Sequence, residues 1–176
     1  MNEKIVYGTF NTPVGEMLAA ASPGGLCRLC LPGEDRAGFF DWIHKNCRRA
    51  VVEEGNNDVI KAVKGQLDEY FKGARRAFAV ELDLKGTVFQ RSVWHILLQI
   101  PYGSTASYKD VAAALGNPAA VRAVGQANNR NPIPIIIPCH RVVGSNKKLV
   151  GYGGGLDTKI SLLRLEGIKV GEESII

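Results

Sequence analysis

At 176 residues, 45% of them hydrophobic and 22% charged, the chain carries enough apolar material for one sizeable core or two small ones packed together. No apolar run approaches the roughly 20 residues of a membrane span, and the opening MNEKIVYGTF lacks the apolar stretch of a secretory signal; no membrane association and a cytoplasmic, nucleoid-type location are expected. The net charge of +5 favours a polyanionic partner without specifying one, and four cysteines in a reducing compartment read first as free thiols.

KIVYGTF, GEMLAAA and GLCRLCL have strand character and are separated by turn signals at Asn11 to Pro13 and Ser22 to Gly25, which predicts a small antiparallel sheet. Phe39, Phe40, Ile43 and Cys47 then recur at helical spacing. A second helix is predicted from Asn57 to Phe71, with Ile60, Val63, Leu67 and Tyr70 on one stripe. Both helices are expected to cover the sheet. FAVELDL reads as a further strand and Lys85 to Thr87 as a linker, so the expected domains are 1–84 and 85–176. Cys27, Cys30, His44 and Cys47 have a spacing that suits a structural zinc. On a regular strand, however, Cys27 and Cys30 point to opposite faces, which favours buried thiols, with a Cys30–Cys47 disulfide as a lesser alternative.

Past the linker, Phe89 to Ile100 predicts an apolar helix stopped by Pro101, and TASYKDVAAALG a second helix ended by Gly116. Asn117 before Pro118 signals a restart, because an Asn side chain accepts from first-turn amides and Pro has no amide to leave unpaired. A third helix is expected from Pro118 to about Asn128. Two short helices joined this way have the form of a helix-turn-helix, a form shared with helical hairpins that bind nothing. The glycine run at 151 to 155 has no following Gly-Lys-Ser/Thr, and Leu156 and Thr158 stand where a dinucleotide motif needs its last Gly. No cofactor is expected.

In NPIPIIIPCHRVVG, Pro132, Pro134 and Pro138 forbid a continuous helix, which predicts an extended, buried segment carrying Cys139 inward beside His140. A buried thiol is ordinarily inert, but an imidazole that takes its proton, directly or through water, makes it a nucleophile. The expectation is a sulfur ionised while shielded from solvent. Glu166 is the candidate to orient that imidazole: it falls in the last turn of a helix expected to start with Asp157 as cap and to end at Gly167, where the helix dipole disfavours an anion. Asn131, before Pro132, can pin the turn. These residues alone leave open a transcription factor whose Cys139 is core and a cysteine hydrolase of small molecules.

The string Ile-Pro-Cys-His-Arg-Val at 137–142 resembles the active-site signature of the O6-alkylguanine-DNA alkyltransferases, also called methylated-DNA–protein-cysteine methyltransferases. The likeness runs through SYKDVAAALGNPAAVRAVGQANNRNPIPIIIPCHRVVGSNKKLVGYGGG and on through LLRLEG to Gly167. The N-terminal part is similar more loosely, mainly in TPVGEMLAA. The resemblance implies an α/β (α+β) fold: a small ribonuclease-H-like sheet-and-helix domain, then a winged-helix-like domain with a helix-turn-helix. It implies Cys139 as alkyl acceptor, His140 as water-mediated base, Glu166 as its orienting partner and Asn131 as brace, with Tyr108 assisting proton transfer to the base. Arg122 would fill the gap left by an extruded nucleotide, and Ser107, Ala119, Ala120, Ala123 and Gly125 would join it at the DNA. Pro138, Ser145 and Tyr152 would line the base pocket. The small residues of the third helix leave few donors for reading base edges and suit sequence-independent binding. The implied partner is double-stranded DNA carrying O6-alkylguanine, bound by a monomer and repaired in one irreversible turnover. Alkylated thymine as a substrate and cooperativity along DNA are left open. Relatives that bind alkylated DNA without repairing it lack the acceptor cysteine, which this chain has.

Overall fold

The three predicted strands form β1 (Lys4–Thr12), β2 (Gly15–Ser22) and β3 (Gly25–Cys30), joined as antiparallel neighbours in a computed structural model that describes residues 3–176. The chain divides into two compact units, Met1–Gly86 and Thr87–Ile176.

In the first unit a short fourth strand, β4 (Val51–Glu54), pairs parallel with β1 and completes the order β3-β2-β1-β4. Alternate residues of β1 face opposite sides, and each side meets one helix. Helix α1 (Arg36–Asn46) covers the side bearing Ile5 and Tyr7, where Tyr7 meets Phe39 and Phe40 edge to face at ring-centroid distances of 6.4 and 5.0 Å. Helix α2 (Asp58–Phe71) covers the side bearing Gly8 and buries the predicted stripe of Ile60, Val63, Leu67 and Tyr70. Asn57 starts it, its side chain accepting from the Ile60 amide at 3.0 Å.

Two expectations change here. FAVELDL is not a strand: only Leu82 bridges to β3, while the backbone of Ala79 is satisfied on both sides by the Gln66 side chain, at 2.7 and 3.0 Å. Nor does β3 alternate regularly. Its register against β2 shifts between Ala20 and Ala21, leaving Cys27 as an inserted residue, and this bulge turns Cys27 onto the same core face as Cys30. Cys47 joins that core without pairing with Cys30, and the Cys27 thiol donates to the Ala20 carbonyl at 3.2 Å. All four cysteines are free thiols.

The second unit is mainly helical: α3 (Val88–Leu97), α4 (Tyr108–Ala114), α5 (Val121–Asn129) and α6 (Leu156–Leu165), with a two-residue parallel pairing of β5 (Ala106–Ser107) and β6 (Val142–Val143). Helices α3 and α4 both open on capping boxes, Thr87 with Gln90 and Ser107 with Asp110. Helix α5 packs on both of them, and the Trp94 indole donates to the Ala127 carbonyl at 2.9 Å. Asn117 does not cap the next helix with its side chain. The chain instead enters a 3-10 turn over Pro118–Ala120, closed by the Ala120 amide on the Asn117 carbonyl at 3.0 Å, before α5 begins. Asp157 likewise lies within the first turn of α6, whose cap is Gly155 at φ +87°.

Glycine is required at position 25, where φ is +126° and an added Cβ would lie 2.6 Å from the Glu81 carbonyl carbon. Gly25→Ala is expected to lower the unfolding free energy by about 2–3 kcal/mol, measured as a shift of the urea midpoint at unchanged slope.

Candidate active site

The segment before Cys139 is buried throughout, as predicted, but it is folded rather than extended. The Ile137 amide returns to the Ile133 carbonyl at 2.9 Å, and Ile135, β-branched and buried, is held at φ +72°. Asn131 fixes this turn from both ends: its amide nitrogen donates to the Ile137 carbonyl at 2.8 Å and its oxygen accepts from the Ile133 amide at 3.0 Å. The turn delivers Cys139, His140 and Arg141 as one short 3-10 turn, all three buried.

His140 is fully enclosed, and its Nε2 lies 2.8 Å from Glu166 Oε1. Burial pulls the imidazole below its usual value against the opposing pull of Glu166, so the ring is neutral at pH 7. A neutral imidazole has one N–H, and a carboxylate accepts it. Nε2 therefore carries the hydrogen, leaving Nδ1 a lone pair that has no partner among the described residues.

Burial alone would push the Glu166 carboxyl up, but hydrogen bonds from His140 and Arg141, and the charge behind them, outweigh it and hold the group down at about 2. Arg141 grips both oxygens, Nε to Oε2 and Nη2 to Oε1 at 2.9 Å each, and its third nitrogen donates to the Ile100 carbonyl at 2.6 Å. The Gly103 amide adds a contact to Oε2 at 3.2 Å. Glu166 is the C-terminal cap residue of α6, and these four donors offset the unfavourable helix dipole there.

Burial pushes the Cys139 thiol up to about 11, although Asn131, Lys159 and Tyr152 all act to lower it. At rest the pair is thus thiol and neutral imidazole. The expected ionised sulfur is corrected on this point, because desolvation outweighs the neighbours that favour the anion. Tyr108 opens α4, and its hydroxyl is pushed up by burial and by Cys139. The Tyr108 ring lies 3.9 Å from where a Cβ on Gly125 would stand.

Of the other predicted residues, Pro138 is buried and accepts the Arg141 amide at 3.0 Å. Ala119, Arg122 and Ala123 lie exposed along one side of the 3-10 turn and α5, with Ala120 half-buried. Gly125 faces Tyr108 and is not part of that exposed side. The Ser107 hydroxyl is engaged in its capping box. Ser145 stands exposed in the 144–148 turn and has no place in the hydrogen-bond network around Cys139 among the described residues. Sequence reasoning passed over Arg141 and Lys159. Lys159, Leu162, Leu163 and Glu166 form one stripe at i, i+3, i+4 and i+7, so a charge at either end of a buried stripe was the available signal.

A helix-turn-helix unit that buries a cysteine beside a hydrogen-bonded His-Glu pair in the chain is the architecture of a protein that does chemistry through a cysteine. The first unit matches the family described as 6-O-methylguanine DNA methyltransferase, ribonuclease-like domain, over residues 5–84, and the second its DNA binding domain over 88–168. The constitutive methylated-DNA–protein-cysteine methyltransferase of Bacillus subtilis is 45% identical over 168 residues, 95% of this chain and 98% of its own length. The Mycobacterium leprae protein of that name is 56% identical over 158 residues, 90% of each chain. The crystal structure of Mycobacterium tuberculosis OGT in complex with DNA superposes with a TM-score of 0.77 at 42% identity, covering 92% of each chain. The chain belongs to the methylated-DNA–protein-cysteine methyltransferase family.

Because the Glu166 carboxyl is held near 2 against an ordinary 4.5, its ionisation stabilises the fold at any pH above the ordinary value, and that contribution is lost as pH falls toward 2. The native protein should lose about 3 kcal/mol across this window, followed by urea midpoints at stepped pH. Glu166→Gln should be less stable by a similar amount at neutral pH, with Arg141 left unpaired, and should show a flatter acid dependence.

Proposed function

We propose that this protein reverses alkylation damage in DNA directly, moving the alkyl group from O6-alkylguanine to Cys139 in a single irreversible turnover. The observation that carries the reading is the His140 ring, which follows the buried Cys139 in the chain, is locked to Glu166 through Nε2 and has an Nδ1 lone pair with no partner among the described residues. That arrangement suits proton removal at the moment of attack rather than a standing ion pair.

Double-stranded DNA is the partner, met by the exposed face of Ala119, Arg122 and Ala123. A guanine within the duplex hides its O6 substituent, so the nucleotide is rotated out at a cost of a few kcal/mol, and the Arg122 side chain occupies the space it leaves. With the base in place, the Cys139 hydrogen passes to Nδ1, through a bridging water. Sulfur forms a bond to the alkyl carbon as the bond from that carbon to O6 breaks, and the bonding pair goes to the base. Tyr108 passes a proton to the departing guanine and is reprotonated at the expense of the imidazolium, so both groups end neutral and no anion is released into a site of low dielectric. The balance is thiol plus aryl ether in, thioether plus guanine out. Glu166 stabilises the imidazolium formed on the way, and Asn131 keeps the turn in register. Tyr152 and Pro138 bound the base from the site side, and Ser145 reaches it by movement of its turn. The thioether offers no leaving group that water could displace, so each molecule acts once.

The exposed Arg122 face favours this reading over a hydrolase of small molecules, which has no use for it. Label from O6-methylguanine in duplex DNA should reach a plateau at one equivalent per protein, located on the Cys139 peptide; continued turnover, or label elsewhere, sinks the proposal. A preference for one DNA sequence over the lesion would point to a regulator instead. Arg122→Ala should slow repair of duplex DNA by about tenfold to a hundredfold, part of the unstacking cost, yet leave the reaction with free O6-alkylguanine base unchanged.

A further inference from the structure

Lys159 is 0% exposed on α6, and among the described residues no carboxylate pairs with it. Its ammonium donates to the Val142 carbonyl at 2.6 Å and the Val150 carbonyl at 3.0 Å. An ammonium has three hydrogens, so two carbonyls leave one donor over. Burying a cation without an anion is costly, and proteins keep such a group where its charge is used. Val142 closes the Cys139–Arg141 turn and α6 packs against that turn, so the ammonium is held beside the segment that carries the sulfur, where its charge favours the thiolate. The nearby guanidinium of Arg141 is committed to Glu166.

We infer that Lys159 is the countercharge for the Cys139 sulfur, a positioning residue that lowers the cost of thiolate character as the hydrogen leaves for His140. The inference rests on the reading of Cys139 as the alkyl acceptor. It accounts for how a thiol with so unfavourable a burial becomes nucleophilic. The imidazole supplies a place for the proton, and the ammonium supplies the field that the forming anion needs in a site shielded from bulk solvent. Spacing along α6 is part of the device. Lys159 and Glu166 are seven residues apart, two turns along one face, so a single helix brings a cation to the sulfur and an anion to the imidazole.

The groups facing Cys139 are Tyr108 from α4, Asn131 from the preceding turn, Tyr152 from the glycine-rich loop, His140 beside it and Lys159 from α6. His140 is held below its usual value and Tyr108 above its own, so neither gains or loses a proton in mildly alkaline solution. Lys159 does: burial pulls it down to about 8. Its charge is therefore present below that pH and lost above it.

The test is the rate at which iodoacetamide alkylates Cys139, resolved from the other cysteines by peptide mass, between about pH 6 and about pH 10. In the native protein the rate should climb with pH and bend near pH 8, where the ammonium is lost. Lys159→Met should react at least about tenfold more slowly at neutral pH, one unit of thiol pKa being a factor of ten in thiolate, and should climb without a bend so that the gap closes. Equal rates, or a slowing that is the same at every pH, would assign Lys159 to fold maintenance and overturn the inference. If the Met variant does not fold, Lys159→Arg decides. Its guanidinium stays charged throughout, so the bend should vanish while the neutral-pH rate survives, and a persisting bend overturns the inference. The probe contains no guanine and no DNA. A native protein that takes no label from O6-methylguanine but still shows the bend would refute the proposed function and leave this inference standing.

Discussion

A carboxylate removed from water must be given back the donors it has lost, and Glu166 receives them from two other stretches of the second unit. His140 and Arg141 come from the turn that carries Cys139, Gly103 from the segment after α3, and Glu166 itself from the end of α6. The network therefore ties the segments together as well as setting the imidazole. Removing the carboxyl would leave a buried guanidinium without its partner and a ring free to turn. Structure and chemistry here depend on the same atoms.

The protonation of the Cys139 thiol is set by a contest between burial and polar neighbours, and burial wins at rest. That outcome has a functional logic. A permanently ionised cysteine would react with any small electrophile, whereas a thiol that ionises only as it attacks is protected until a substrate is in place. The strained Ile135 belongs to the same economy: the turn from Asn131 to Cys139 tolerates a left-handed β-branched residue because Asn131 and the surrounding apolar side chains over-determine it.

Much of this could be read from the residues. Strand alternation and turn signals located the hairpins of the sheet, and the helical stripes located α1 and α2, because period and breakers are local properties. The Cys139-His140 pair stood out through adjacency, and Glu166 through its awkward place at a helix end. What escaped depended on distant chain. The bulge at Cys27 exists only in the pairing of β3 with β2, and period-two reasoning cannot register an inserted residue. FAVELDL has the composition of a strand, but the Gln66 side chain, not a neighbouring strand, satisfies Ala79. Asn117 and Asp157 are good caps by type, yet the Asn117 carbonyl closes a 3-10 turn and the cap of α6 is Gly155, before Asp157 in the chain. Arg141 and Lys159 were passed over because charges are ordinarily read as solvent-facing, and only their partners in three dimensions reveal otherwise.

Helix α6 spans ten residues from Leu156 to Leu165, and Lys159 sits in its first half while Glu166 closes it. Helices of this length do not hold together by themselves in water and rely on what they pack against. On the proposed reading, loosening this one segment would strip cation and anion from the reacting groups together. On that reading, durability of the repair chemistry under heat follows the local opening of a single short helix, and inactivation would run ahead of global melting.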